Sequence, residues 1–192
     1  MSENPKPRMP RSDALRNREL LIEAAKVVLG QGGPGASLEG VARRAGVGIG
    51  TLYRHFPTRE DLFQAVYRRE VEHLIDLASE LSKSDDGIEA LRAWLHANVE
   101  LVATKRGLLG AMSVVLTEDS KAMYSELSRG LTNAVDGLVQ RAISDKSLRP
   151  DITADDLLQT MYALCYARQP EPGWEAQVLR LLDIFIDGLR MR

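Results

Sequence analysis

The most informative stretch of this chain is residues 37–59, Ser-Leu-Glu-Gly-Val-Ala-Arg-Arg-Ala-Gly-Val-Gly-Ile-Gly-Thr-Leu-Tyr-Arg-His-Phe-Pro-Thr-Arg. Two short helical segments flank a turn in it. Ala42 is small where the two must cross, and Gly46 sits in the turn, where a positive φ favours glycine. Val41, Val47 and Leu52 can fill a small core against a preceding helix. This is the pattern of a helix-turn-helix. The outward residues of the second segment are then Gly48, Ile49, Gly50, Thr51, Tyr53, Arg54 and His55. Such a helix enters the major groove of DNA with its N-terminal residues nearest the bases. Gly50 costs that helix about 1 kcal/mol relative to alanine, and in exchange lets the backbone come close. Tyr53 and His55 carry hydrogen-bonding tips suited to phosphates or base edges. Arg44 ends the first segment, and Arg59 opens the next helix, whose first N–H groups suit a phosphate. The plain alternative for the same residues is a solvated basic helical hairpin.

The frame around this stretch reads as helical throughout. Sustained period-two alternation is missing, and aromatics make up only 5% of the chain. A first helix is expected over 13–29, with Leu15, Ile22, Ala25 and Leu29 near one face, ended by the glycine-rich run at 30–35. Ser37 suits the N-cap of the next helix. Pro57 interrupts, and Thr58 with Asp61 three residues on reads as the cap of a long helix reaching about residue 82. Further helices are expected over 88–104, 108–116, 119–144, 153–167 and 174–190, with Lys105-Arg106-Gly107 as a break and Thr153 and Asp156 as a cap. The reading is all-α, with about nine helices.

Composition bounds the rest. The chain has 192 residues, 44% of them hydrophobic and 27% charged. A chain of this size buries about 70% of its unfolded surface and needs no disulfide or metal staple. Its one cysteine, Cys165, allows no internal disulfide and no multi-cysteine zinc site, so a reducing, cytoplasmic setting is the expectation. No run of 18 apolar residues occurs, and no membrane partner is expected. Residues 1–12 read as a polar, proline-rich disordered arm without the apolar core of a secretion signal. The net charge of −2 hides an asymmetry: residues 1–70 hold 12 Lys and Arg against 8 Asp and Glu, and the remainder 13 against 19. A basic front on an acidic body suggests that the front alone meets a polyanion.

Residues 45–63, Ala-Gly-Val-Gly-Ile-Gly-Thr-Leu-Tyr-Arg-His-Phe-Pro-Thr-Arg-Glu-Asp-Leu-Phe, resemble the signature of the TetR family of bacterial transcriptional regulators. Residues 18–25 and 35–38 resemble that family's first helix and link, so the match spans about residues 14–69. The resemblance implies a homodimer with two DNA-binding heads and a ligand-binding body. It implies domains at 13–60 (helix-turn-helix head) and 61–192 (helical body for ligand binding and dimerisation). By position, Thr51, Tyr53 and His55 match recognition-helix contacts, and Ser37, Arg44 and Thr58 match phosphate-contacting places. Arg59 stands where lysine is frequent, and Gly48 stands where a serine or threonine cap is common, which leaves the recognition helix less firmly capped.

The last helix has an apolar stripe too wide for a surface helix: Trp174, Val178, Leu181, Leu182, Phe185, Ile186 and Leu189. A helix apolar on more than one face is buried on more than one side, and a partner chain is a reasonable second cover. The preceding helix, with Leu157, Leu158, Met161, Leu164 and Cys165, would be its companion. This is similar to the family's four-helix dimer interface; a monomeric core is the alternative. The resemblance also implies a ligand cavity between about residues 62 and 166, with Phe63, Trp94, Asn98, Met112, Leu116, Tyr124, Met161, Tyr162 and Cys165 as candidate lining. Each of these could equally be ordinary core. Tyr124 and Tyr162 stand out because a buried phenol needs a partner.

Other signals are set aside. Gly46-Val-Gly-Ile-Gly50 follows a helix rather than a strand and lacks the Gly-Lys-Ser/Thr of a phosphate loop. His55, His73 and His96 are too dispersed for a metal pair, and Cys165 has no nearby base, so no metal, cofactor or enzymatic activity is expected. The expectation is a homodimeric repressor that binds a partly palindromic double-stranded operator and is released by a small apolar or amphipathic effector. Two alternatives stay open. One is a regulator of this fold without a small-molecule trigger; the other is a helical carrier or enzyme with a non-functional head.

Overall fold

The computed structural model describes residues 11–30, 36–112, 118–167 and 171–191, and the side chains of 12–30, 36–109, 121–167 and 171–191. The arm at 1–10, the glycine-rich link at 31–35, Leu116 and the Met112 side chain lie outside the described residues. The described residues form eight α-helices: α1 Arg11–Gly30, α2 Leu38–Arg44, α3 Ile49–His55, α4 Arg59–Leu81, α5 Gly87–Met112, α6 Glu118–Ser144, α7 Ala154–Tyr166 and α8 Trp174–Gly188. An isolated bridge between Leu148 and Arg190 is the one extended pairing among them. The fold is all-α, as expected, with one helix fewer.

The difference lies at Lys105-Arg106-Gly107, expected as a break but lying inside the continuous α5. Lysine and arginine are good helix formers, and a lone glycine costs an interior position only about 1 kcal/mol. Gly107 has another use: a Cβ there would overlap the backbone of Gly30 at the end of α1, so the position needs glycine for close approach.

The chain divides into two compact units, residues 1–66 with 107–115, and residues 67–106 with 116–192. In the first, α1 packs on α2 and α3. Leu21, Ile22, Ala25 and Leu29 of α1 are buried with Leu38, Val41, Leu52, Phe56 and Leu62, and the Arg18 guanidinium stacks over the Phe56 ring at 5.4 Å. Leu15, expected on the buried stripe, is 64% exposed. The reason is length: α1 has 20 residues, and the helices beneath it have 7 each.

In the second unit, Leu91, Trp94, Leu95, Leu131, Leu138 and Leu157 are among the buried side chains. Arg92 of α5 ties that helix to α8, donating to Asp183 at 2.8 Å and to Asp187, while His96 meets Asp183 at 2.7 Å. Arg141, near the end of α6, donates to the carbonyls of Ser82 and Ser84 in the turn after α4. Thr153 and Asp156 form the expected capping box at the start of α7, worth about 1 kcal/mol. No helix among the described residues is long and apolar enough to cross a membrane.

Candidate nucleic-acid interface and body cavity

In the first unit, the turn between α2 and α3 is made as its residues demand. Ser37 caps α2, its Oγ accepting from the Gly40 N–H at 3.0 Å. The chain then reverses at Gly46, whose φ of 71° is the left-handed value a side chain resists. α3 is anchored by one buried residue, Leu52, at 1% exposure. Around that anchor, Gly48, Ile49, Gly50, Tyr53 and Arg54 are exposed, and Thr51 and His55 half-buried. Tyr53, at 48%, presents nearly half its surface. The N-cap of α3 is Gly48, with no side-chain hydrogen bond. Cβ atoms added at Gly48 and Gly50 would meet nothing within 4 Å, so nothing within the chain requires glycine at either place.

The charges around α3 are mostly cationic. Arg43, Arg44, Arg54 and Arg59 are all exposed; Arg43, which the sequence reading passed over as a contact, is as open as its neighbour. At the start of α4, Thr58 and Asp61 close a reciprocal box: Asp61 Oδ2 accepts from the Thr58 N–H at 2.9 Å and from its hydroxyl at 2.7 Å, and the Asp61 N–H donates to Thr58 Oγ1 at 3.0 Å. The expected cap is therefore present. The same geometry engages the Thr58 hydroxyl proton and puts a carboxylate on the first turn of α4, which favours a positive helix end but opposes a second anion there.

The second unit contains a cavity of about 410 Å³ among α4, α5, α6 and α7. Its lining is Tyr67, Leu101, Val102, Lys105, Tyr124, Ser125, Ser128, Tyr162 and Tyr166. Tyr67 and Tyr124 meet edge to face, centroids 5.3 Å apart at 74°, and the Lys105 ammonium lies 5.2 Å from the centre of the Tyr67 ring. Burial pushes the Tyr67 phenol up to about 12, helped by Tyr162 and Tyr166. Burial also raises Tyr162, against the nearby Asn98 amide, and lowers the Lys105 ammonium.

Of the residues expected to line a cavity, Tyr124 and Tyr162 do so. Asn98 is fully buried on α5, one turn before Val102, and its amide lies near the Tyr162 phenol. Trp94 is core: its indole N–H donates to the Leu74 carbonyl at 2.8 Å. Met161 is fully buried, and Phe63 is buried in the first unit. Cys165 lines a separate, smaller cavity of about 200 Å³ between α7 and α8, and burial pushes its thiol up to about 11, which leaves it inert near neutrality. The sequence reading missed Tyr67, Leu101, Val102, Lys105, Ser125, Ser128 and Tyr166. Helical spacing held some of the signal: Val102 and Tyr166 follow Asn98 and Tyr162 by four residues, and Lys105 follows Asn98 by seven.

The residues expected at a dimer face divide in two. Leu157, Met161, Val178, Leu182 and Leu189 are buried inside the unit. Leu164, Trp174, Leu181 and Phe185 remain half-exposed, and Ile184, not singled out from the sequence, is 59% exposed. Trp174, Leu181, Ile184 and Phe185 form a second apolar stripe on the outer side of α8, with Leu164 on α7. Arg106 flanks it, its guanidinium 4.9 Å from the Trp174 ring and 5.2 Å from that of Tyr166.

Comparison with known proteins agrees with this architecture. Residues 21–66 match the profile of bacterial regulatory proteins of the TetR family, and residues 86–191 match that of the SbtR-like transcriptional regulator C-terminal domain. Among solved structures, a TetR transcriptional regulator from Streptomyces coelicolor is 35% identical, with a TM-score of 0.75, over 90% of this chain and 98% of that one. An HTH-type transcriptional regulator of Staphylococcus aureus is 28% identical over 92% of this chain and 96% of its own length. The HTH-type transcriptional activator FasR of Mycolicibacterium smegmatis is 33% identical over 96 residues, which is 50% of this chain and 43% of FasR. Two family profiles covering the head and most of the body, on a fold shared along nearly the whole chain, place it: this protein belongs to the TetR family of helix-turn-helix transcriptional regulators.

Proposed function

We propose that the protein is a homodimeric repressor that reads a partly palindromic operator with residues 48–55 and is released when a small molecule fills the cavity of its body. The observation that carries this reading is α3 itself. One buried leucine holds the helix, while two unobstructed glycines, Tyr53 and Arg54 are turned outward. A surface helix kept for stability alone would carry alanine at 50. Contacts to phosphate are assigned to Ser37, Arg44 and Arg59. Thr58 is a weaker contributor, since its hydroxyl proton is held by Asp61.

Dimerisation is assigned to the outer stripe of α8 with Leu164 of α7. A C₂ pair presents two heads, and simple two-head geometry puts half-site centres about 34–36 Å apart or at a multiple of that. Release requires differential affinity: moving the balance from 1:99 to 99:1 takes about 5.5 kcal/mol. FasR, named an activator, supplies a second reading, in which the same head switches transcription on.

The test is selection of bound duplexes from a random pool by the full-length protein, across a salt series. An enriched inverted repeat whose binding weakens steeply with salt is expected. Failure to enrich any sequence, after a mass-spectrometric search for a retained ligand and its removal, would move the lead to the carrier or enzyme reading. Placing the selected repeat upstream of a reporter then separates repression from activation.

A further inference from the structure

The cavity of the second unit has a one-sided chemistry. Among the described residues its polar lining consists of the Lys105 ammonium, four phenols and the hydroxyls of Ser125 and Ser128. Every one of these can donate a hydrogen bond, and none carries negative charge. The phenols of Tyr67, Tyr162 and Tyr166 are all shifted upward by burial, so they stay protonated donors at neutral pH.

Among the described residues Lys105 is the only charged group on this wall, and it is half-buried. No acidic side chain pairs with it among the described residues; its contact is with the face of the Tyr67 ring at 5.2 Å. A ring face offsets part of the cost of drying an ammonium, but less than a carboxylate held at hydrogen-bond distance. Burial lowers the ammonium, the direction expected where no counter-charge repays desolvation. A neutral occupant would bury that charge further without compensating it, and a cationic one would add repulsion. An anion would satisfy it. The rest of the wall, Leu101, Val102 and the edge-to-face pair of Tyr67 and Tyr124, is apolar and aromatic, which favours a ring over a flexible polar chain.

We propose that the effector is an organic anion, a ring-bearing carboxylate whose charge pairs with Lys105 while its ring packs against Tyr67 and Tyr124. This rests on the reading of the body as an effector-binding domain, and it names the chemistry that domain selects. Ser125 and Ser128, three residues apart on α6, line the same cavity and would donate to the same carboxylate.

Titration calorimetry of the full-length protein with three acid–amide pairs tests it: naphthoate, indoleacetate and cinnamate, each beside its neutral primary amide. At least one acid should bind about tenfold tighter than its amide, a difference of about 1.4 kcal/mol. Lys105→Gln should erase that preference by weakening the acid and sparing the amide, while Lys105→Arg keeps most of it. Melting curves of both variants check that the fold is intact, and the acid–amide comparison on the unmodified protein stands whatever the variants do. The inference is overturned if no acid is preferred over its amide, including the case in which none binds, or if the preference survives Lys105→Gln. Operator binding is measured on the same protein without ligand. An amide that releases the operator as well as its acid leaves the regulator reading standing and removes this one.

Discussion

Replacing Gly50 with alanine should separate the stability of the head from its grip on DNA. Gly50 is the second residue of α3, and a Cβ there would meet nothing within 4 Å. No clash therefore opposes the gain in helix propensity, which for glycine to alanine is about 0.5–1 kcal/mol, with the lower part of the range fitting a first-turn position. For a protein of this size, 1 kcal/mol moves Tm by about 2–4 °C, so the variant should melt about 1–2 °C higher. On the DNA side the same methyl stands on the exposed face, where the backbone is taken to approach the groove. Displacing one base contact costs about 1–3 kcal/mol, so operator Kd should rise by a factor of about 5–150. The assay is a pair of measurements on one preparation: thermal melting of the free protein, and fluorescence anisotropy with the selected duplex at fixed salt. A variant that melts higher and binds the operator with unchanged Kd would refute the argument that glycine is kept there for close approach.

Three other perturbations follow from the same geometry. Ile184→Asp, a change at a side chain 59% exposed in one chain, should leave helix content intact and convert the dimer to monomer in sedimentation; an unchanged dimer mass would move the interface off the outer face of α8. Asn98→Leu removes a fully buried amide beside the Tyr162 phenol and should lower stability by about 1 kcal/mol in urea unfolding, whereas a higher midpoint would mean the amide gains nothing from that phenol. Acid should loosen the α5–α8 link. Burial would raise the Asp183 carboxyl, but hydrogen bonds from Arg92 and His96 and the charges of both outweigh it, and Arg92 likewise holds Asp187 low. A depressed carboxyl binds fewer protons folded than unfolded, so its contribution is present above its unfolded pKa of about 3.9 and is lost as pH falls from there through the folded value. Asp183→Asn should flatten that acid limb in a Tm series, and a series as steep as the parent's would contradict the assignment.

The head was legible in the sequence because each of its features is local. A capping serine, a turn glycine and a threonine with an aspartate three residues on all act within one turn of chain, and all three appear in the geometry expected of them. The body was legible only as helices. Its cavity is made where four helices meet, so residues distant in sequence share a wall, and no spacing rule joins Tyr67 to Ser128. Lys105 was read as part of a helix break because a lysine beside an arginine and a glycine looks like a solvated turn; close approach at Gly107 and burial in the cavity wall give the segment a different use. Trp94 and Met161 show the converse. Large apolar side chains in a cavity-bearing domain look alike in sequence whether they face the cavity or the core, and both face the core. On α8 the wide stripe, expected to be covered on more than one side, has two faces: Val178, Leu182 and Ile186 turn inward, while Leu181, Ile184 and Phe185 turn toward the outside.

Whether α3 reads DNA can be decided at Tyr53, which is exposed and whose loss costs the core nothing. Tyr53→Ala and the parent protein would be titrated against the selected duplex and a scrambled one of equal length at several salt concentrations. Unchanged dimer mass and melting are expected, with an affinity for the selected duplex lower by about tenfold or more and little change on the scrambled duplex. Equal affinity of the two proteins for the selected duplex would contradict the assignment of α3 as the DNA-reading helix.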